Sequence, residues 1–301
     1  MVKKYSDLYL DARKALIPKE GLQQAAFLAR QLLCSISGKT QTELVAARDL
    51  FASEEIGKRL TDAVQRLLAD EPLAYVLGQW EFYGMTLEVN RDVLIPRDDT
   101  MAVAELAVKK TMYLQQDPRV LDLCTGSGCI GLAVAHRVKD ARVTLADCSR
   151  EALAVAKRNI TGQHLSARVS AVQVDALKPA PAFLGQFDLI VSNPPYVTNR
   201  EMEQLEPSVK NYEPHLALCG GADGLDFYRA IVKNYTSALR PGGYLCFEFG
   251  MGQGSRVCEI LAAGGYEILE IKQDYSKIDR AVLARKERKE EDQHGNEENS
   301  L

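Results

Sequence analysis

From about residue 97 onward, short apolar runs rich in β-branched residues alternate with stretches whose apolar positions recur every three to four residues. Nothing else in the chain restricts its fold as strongly. The expected strands are 119–123, 142–146, 168–174, 187–191 and 244–249, with helices around 100–114, 129–138, 149–160, 224–239 and 253–263. A strand that returns through a helix finds a parallel neighbour, so the alternation specifies a doubly wound α/β sheet with helices on both faces. Two further strand patterns, 266–272 and 280–284, follow one another without a helix and are expected to pair antiparallel.

The residues before this region have a different period. Residues 1–72 read as short amphipathic helices, with Leu22, Ala25, Ala26, Ala29, Leu32 and Leu33 on one face and Ile56, Leu60, Val64 and Leu67 on another. Thr40 and Glu43 fit a capping box, and Ser53 before Glu54 and Glu55 fits an N-cap with acids favourable to the helix dipole. This small helical domain carries no cluster of catalytic residue types and is expected to bind a partner. Residues 73–97 read as a bridge built on a β-hairpin, residues 98–285 as the α/β domain, and 286–301 as a charged tail expected to be disordered.

The turn after the first strand is rich in glycine: Asp122-Leu123-Cys124-Thr125-Gly126-Ser127-Gly128 leads directly into a helical pattern. Gly126-x-Gly128-x-x-Gly131, with Asp147 about 20 residues further on, is the spacing of a dinucleotide site, where an acid takes ribose hydroxyls. The same geometry serves S-adenosylmethionine. Asp122 before the glycines favours that cofactor, because an acid there can address, directly or through water, a cationic amino acid group and repels a pyrophosphate. Asp175, at the end of the third strand, is expected to reach an adenine amine. Each acid alone is also compatible with a solvated strand end or a helix cap, Asp147 less so than Asp122 and Asp175.

Asn193-Pro194-Pro195-Tyr196 follows the fourth strand. The Asn193 side-chain oxygen and the Pro194 carbonyl can each accept one N–H of a planar NH2 group. Two prolines with fixed φ and no N–H hold that carbonyl in place, and Tyr196 offers a face to stack on. Such a site suits methyl transfer to a nitrogen whose lone pair is delocalised. Taken alone, Asn-Pro-Pro also suits a turn that merely ends a strand.

Composition narrows the classes. With 46% hydrophobic and 26% charged residues the chain has the make-up of a soluble protein with a sizeable core, and no apolar run approaches a membrane span. Its first residues are charged and amphipathic, unlike a signal-peptide core. Seven cysteines without a Cys-x-x-Cys pair and only four histidines argue against structural zinc and a disulfide framework, so no metal and a cytoplasmic location are expected. A net charge of −4 provides no basic field for nucleic acid.

Over nearly its whole length the sequence resembles the class I methyltransferases, and among them the release-factor glutamine methyltransferases (the HemK or PrmC family). The resemblance is carried by residues 72–78 (Pro-Leu-Ala-Tyr-Val-Leu-Gly), Glu81-Phe82-Tyr83-Gly84, Leu94-Ile95-Pro96-Arg97, the Asp-x-x-Thr-Gly-Ser-Gly turn, Ser192 through Tyr196, and Gly220-Gly221-x-Asp223-Gly224-Leu225. Asn-Pro-Pro-Tyr alone is shared with amine-methylating DNA and ribosomal RNA enzymes; the bridge motifs and helical N-terminal region narrow the resemblance. It implies a Rossmann-like methyltransferase sheet, S-adenosylmethionine as methyl donor, and methylation of the side-chain amide of the glutamine in the Gly-Gly-Gln motif of class I peptide-chain release factors.

The resemblance also implies roles. Cys124, Thr125, Gly126, Ser127 and Gly128 wrap the methionine part of the cofactor, Asp147 holds its ribose, Asp175 and Ala176 border its adenine, and Asn193 adjoins it. Asn193 and Pro194 accept the two N–H bonds of the target amide, with Pro195 and Tyr196 completing the substrate site. Two departures stand out. After Ile-Pro-Arg the family usually continues Pro-(Asp/Glu)-Thr-Glu, whereas this chain has Asp98-Asp99-Thr100-Met101, so no acidic role carries over to position 101. Ala176 replaces a residue that is often bulky, leaving adenine less stacking surface.

Residues 198–219 show little periodicity and are expected to form a long functional loop that contacts the release factor together with the N-terminal helices. His215 within it is expected to have no catalytic part. Other activities compatible with the motifs are glutamine methylation of a ribosomal protein, methylation of a nucleic-acid amine, a binding function without catalysis, and NAD-dependent oxidoreduction.

Overall fold

The structure, a computed structural model, describes residues 2–287. The chain divides into two compact units, one containing the residues up to Trp80 together with Glu206–Tyr212, the other Glu81–Leu205 and the residues from Glu213 onward.

In the first unit, helix α1 (Tyr5–Ser37) contains the expected face of residues 22–33 after a kink at Gly21, whose φ of 75° and ψ of 170° interrupt the helix shortly after Pro18. Helix α2 (Gln41–Ala46) begins with the expected capping box, Glu43 N–H donating to Thr40 Oγ1 at 3.2 Å and Thr40 N–H to Glu43 Oε2 at 2.7 Å. Helix α3 (Glu54–Leu68) is capped by Ser53, which accepts from Ile56 N–H. Leu16, Leu32, Leu60, Val64 and Leu67 fill the core of this unit. The bridge starts differently from the expectation: residues 73–77 form a fourth helix, α4 (Leu73–Leu77), not part of a hairpin. Pro72, with φ of −57°, is preset for a helix start, and Gly78 ends the helix at φ of 74°. Buried Glu71 receives two hydrogen bonds from Arg66, which also donates to the Tyr75 carbonyl, fixing the corner between α3 and α4.

Strands β1 (Gln79–Phe82) and β2 (Met85–Glu88) form the expected hairpin, and the boundary between the units falls within β1. Its two-residue turn, Tyr83-Gly84, has φ of 52° and 76°, the pair of positive angles that matches the twist of the flanking strands.

The second unit continues with α5 (Met101–Met112), β3 (Arg119–Leu123), α6 (Cys129–Arg137), β4 (Arg142–Asp147), α7 (Arg150–Gly162), β5 (Val169–Gln173) and β6 (Phe187–Ser192). After two short helices, α8 (Asn199–Met202) and α9 (Pro207–Lys210, assigned to the first unit), come α10 (Asp226–Tyr235), β7 (Leu239–Glu248), α11 (Gly254–Ala263), β8 (Tyr266–Gln273) and β9 (Asp279–Lys286). The seven strands are ordered β5-β4-β3-β6-β7-β9-β8, parallel through β7 and antiparallel thereafter. This is the expected doubly wound sheet with an antiparallel edge. Alternate residues serve opposite faces: Val120, Leu189 and Val191 pack under α5, α6 and α7, while Leu121, Leu123 and Ile190 pack against α10 and α11.

Three boundaries depart from expectation. β7 starts five residues early, at Leu239, because Pro241-Gly242-Gly243, which reads as a turn, lies instead at a shift in register against β6. Residues 198–219 are not one irregular loop: α8, α9 and a 3₁₀ turn at His215–Ala217 break it up, the first with a Thr198–Glu201 capping box. Lys286 belongs to β9, and the expectation of disorder from residue 288 onward lies outside the described residues.

Candidate active site

Strand order reverses between β3 and β6, which leaves a crevice beyond their carboxyl ends, the usual ligand position in such sheets. Leu123 pairs with Ser192 in the parallel register, and the Ser192 hydroxyl donates to the Leu123 carbonyl at 2.5 Å. The glycine-rich turn after Leu123 and the Asn-Pro-Pro-Tyr segment after Ser192 therefore leave the sheet side by side. Residues from both, Cys124 through Ser127 with Asn193 and Pro195, line one cavity.

The turn is held from behind. Thr125 N–H donates to the Ala146 carbonyl at 3.0 Å and Gly128 N–H to the Thr125 carbonyl at 2.8 Å. Gly128 has φ of 86°, and a Cβ there would approach Leu145 to 2.9 Å, so only glycine fits the turn into α6. Asp122 is fully buried; its Oδ2 accepts from the Thr125 hydroxyl at 2.6 Å and from Gly131 N–H at 2.8 Å. Asp122, expected to address the cationic end of the cofactor directly or through water, is not among the residues lining the cavity, and its carboxylate props the turn from beneath. Burial pushes this carboxyl up to about 7 against the two hydrogen bonds, and among the described residues its Oδ1 has no partner.

Asp147, at the end of β4, does line the cavity. Its Oδ2 accepts from Gly126 N–H at 2.9 Å and its Oδ1 from Ser149 N–H at 3.0 Å, which leaves further lone pairs on both oxygens. Burial raises its pKa and these backbone donors oppose the rise. Past β5, Val174 and Ala176 line the cavity but Asp175 does not; its carboxylate accepts from Leu177 N–H at 2.9 Å and pairs with Lys178 at 3.4 Å. The Asp175 side chain, expected to reach an adenine amine, makes these contacts within its own turn.

Asn193 is half-buried and donates from Nδ2 to the Thr100 hydroxyl at 3.3 Å. Among the described residues no donor reaches Asn193 Oδ1 or the Pro194 carbonyl, so both expected acceptors are unspent; Asn193 lines the cavity and Pro194 does not. Tyr196 sits differently from expectation. It packs into the core, its hydroxyl 3.5 Å from Glu248 Oε1, and it is absent from the residues lining the cavity. Burial raises the Tyr196 pKa, Glu248 adding to the rise. The backbone of Gly220 closes over this corner: a Cβ there would stand 2.6 Å from the Pro195 carbonyl and 2.7 Å from Tyr196 Cα, which accounts for the Gly220-Gly221 motif.

Asp92, Val93, Leu94 and Pro96 on one side, with Thr100 and Phe227, also line the cavity without having been expected to, and on another side Pro214, Leu216 and Ala217, expected only in a loop that contacts the release factor, line it too. Glu213 ties two of these walls together, accepting from Ile95 N–H at 3.2 Å and from the Arg97 guanidinium. His215 opens the 3₁₀ turn, and its neighbours line the cavity while it does not. The detectable signal for Glu248 was a single acid inside the apolar run Leu245-Cys246-Phe247-Glu248-Phe249.

No arginine, lysine or histidine lies among the lining residues, whereas Asp92 and Asp147 do. Such a wall accommodates a cation and offers a pyrophosphate no counter-charge, so the residues fit S-adenosylmethionine better than a dinucleotide.

Two family models match the chain: PrmC N-terminal domain over residues 7–78 and Methyltransferase small domain over residues 103–209. The release factor glutamine methyltransferase of Clostridium acetobutylicum is 38% identical over 253 residues, 84% of this chain and 88% of that protein. That of Geobacter sulfurreducens is 37% identical over 278 residues, 92% of this chain and 95% of that protein. The chain belongs to the release factor glutamine methyltransferase family. As a member it is a methyltransferase that uses S-adenosylmethionine. Among solved structures, the hMettl16 catalytic domain in complex with the MAT2A 3'UTR hairpin 6 matches with a TM-score of 0.54 at 16% identity, covering 78% of this chain and 82% of that one. At that identity the likeness shows the fold alone.

Proposed function

We propose that the protein methylates the side-chain amide nitrogen of the glutamine in the Gly-Gly-Gln motif of class I peptide-chain release factors. The observation that carries this reading is the pair of unspent acceptors, Asn193 Oδ1 and the Pro194 carbonyl, in the segment that shares a cavity with the glycine-rich turn. A carboxamide has two N–H donors in one plane, and two fixed acceptors satisfy both.

An amide nitrogen is a poor nucleophile because its lone pair is shared with the carbonyl. Accepting both N–H bonds draws electron density onto nitrogen and favours the pyramidal geometry needed for attack. No strong base is required, since the proton can leave for solvent after transfer. When bound, S-adenosylmethionine supplies an electrophilic methyl carbon on a sulfonium. Asp147 would hold its ribose, the backbone of Cys124 through Gly128 its methionine part, and Val174 with Ala176 its adenine face. Asp122 contributes by keeping the turn in shape. Pro195 lines the site and Tyr196 supports it from the core.

The helical region 1–72 and the segment 198–219 are assigned to recognition of the release factor, with no direct sequence-specific contact to nucleic acid. Seven free cysteines agree with a reducing cytoplasm, and the proposed substrate assigns the protein a role in translation termination. Among the described residues no helix is long and apolar enough to cross a membrane. Incubation with labelled S-adenosylmethionine, a purified release factor, ribosomal proteins and a DNA oligonucleotide, followed by peptide mapping, separates the readings. Label on the Gly-Gly-Gln glutamine is expected; label only on ribosomal protein or DNA would sink this assignment.

A further inference from the structure

Glu248 ends β7, next to β6 in the sheet, where Ser192 pairs with Phe247. It is 1% exposed, and its neighbours Leu245, Cys246, Phe247 and Phe249 are all buried apolar residues. Packing gives no reason for a carboxylate here, and an under-satisfied buried one destabilises the fold. Its Oε1 faces the Tyr196 hydroxyl at 3.5 Å, Oε2 has no partner among the described residues, and the Thr100 hydroxyl lies near enough to hold the carboxyl's pKa down. Thr100 is itself only 2% exposed, and its Oγ1 accepts from Asn193 Nδ2 at 3.3 Å. Thr100 thus adjoins Asn193 on one hand and Glu248 on the other.

A hydroxyl has one proton and two lone pairs. Beside a carboxylate, which only accepts, the Thr100 proton turns to Glu248 and its lone pairs remain for Asn193. That holds the Asn193 amide with Nδ2 toward Thr100 and Oδ1 free. Turned over by 180°, the same amide would present N–H groups to a substrate NH2 that has only N–H groups to offer. We infer that Glu248 is a positioning residue which, through Thr100, sets which end of the Asn193 amide meets the substrate, a role that presupposes the amide-directed activity proposed above. Specificity for an NH2 group would thus be written two residues behind the acceptor that touches it.

Burial pushes the Glu248 carboxyl up to about 7; the Thr100 hydroxyl and Arg280 oppose the rise, and Asp99 adds to it. Tyr196, Tyr228 and Cys129 are the other titratable groups that interact with it. Protonated, Glu248 can donate to Thr100, releasing the Thr100 proton for Asn193 Oδ1 and so favouring the wrong orientation. Turnover should then fall as the pH drops through about 7.

The test compares wild type, Glu248→Gln, Thr100→Val, the double variant and Thr100→Ser on a purified release factor. Each of the first two single variants should lower kcat about tenfold, the worth of one orienting hydrogen bond, with S-adenosylmethionine affinity and unfolding temperature held or raised. The double variant should lose no more than either single one, Thr100→Ser should recover most of the turnover lost in Thr100→Val, and Glu248→Gln should lose the decline near pH 7. Wild-type kcat in Glu248→Gln, multiplied losses in the double variant, or a loss matched by weaker cofactor binding and a lower unfolding temperature would each overturn the positioning role. Absence of transfer by the wild-type protein would instead refute the functional assignment, and the positioning role with it.

Discussion

Replacing Asp122 with Asn tests the claim that this acid is a prop and not a cofactor ligand. The carboxyl is fully buried and moves from 3.8 to about 7, so its ionised form costs the folded protein about 4 kcal/mol at 1.4 kcal/mol per tenfold. The sign follows from proton binding. Between 3.8 and about 7 the folded protein keeps a proton that the unfolded chain has lost, so this group makes stability fall as pH rises through that window. Below it the acid is neutral in both states and contributes nothing. Asn has nearly the same shape, its oxygen can accept from Thr125 and Gly131, and it does not titrate. Urea unfolding of both proteins at about pH 4 and pH 8 should give a stability difference that shifts in favour of Asp122→Asn by up to about 4 kcal/mol, other carboxylates cancelling in the comparison. Cofactor affinity at pH 8 should change little. Parallel pH profiles, or a large loss of S-adenosylmethionine binding in the variant, would refute the reasoning.

Asp147→Ala should behave in the opposite way, lowering S-adenosylmethionine affinity roughly tenfold to a hundredfold by calorimetry, the worth of a charged hydrogen bond; unchanged affinity would remove Asp147 from the cofactor site. Hydrogen exchange with and without a release factor should show slowed exchange in the first 72 residues and in 198–219 when the partner is present, and identical exchange in those segments would count against their assignment to recognition.

Much of the fold was legible because its signal is local. The alternation of two-residue and three-to-four-residue apolar periods marks each strand and helix, and Thr40, Glu43 and Ser53 cap the helices they appear to cap. What escaped were places where a residue's meaning depends on its surroundings. Pro72 ends one apolar stripe yet also starts α4. Pro241-Gly242-Gly243 has the chemistry of a turn but is held in β7 by its neighbouring strand. At the site, Asn193, Asp147 and the glycine-rich turn were readable because spacing along the chain encodes them. Thr100 and Glu248 were not, since they lie 93 residues before and 55 residues after Asn193 and meet only through the strand order. The directions of the Asp122 and Asp175 side chains were not legible for a related reason: spacing finds the strand end, but whether a side chain turns toward the cavity or back to its own turn is decided by packing.

Single-turnover transfer from labelled S-adenosylmethionine to a release factor, with Asn193→Ala beside the wild-type protein, addresses the acceptor pair most directly. Loss of one fixed contact to developing charge should slow transfer about a hundredfold to a thousandfold while cofactor affinity changes by less than about threefold. A variant that transfers methyl to the glutamine at the wild-type rate would contradict the role given to Asn193.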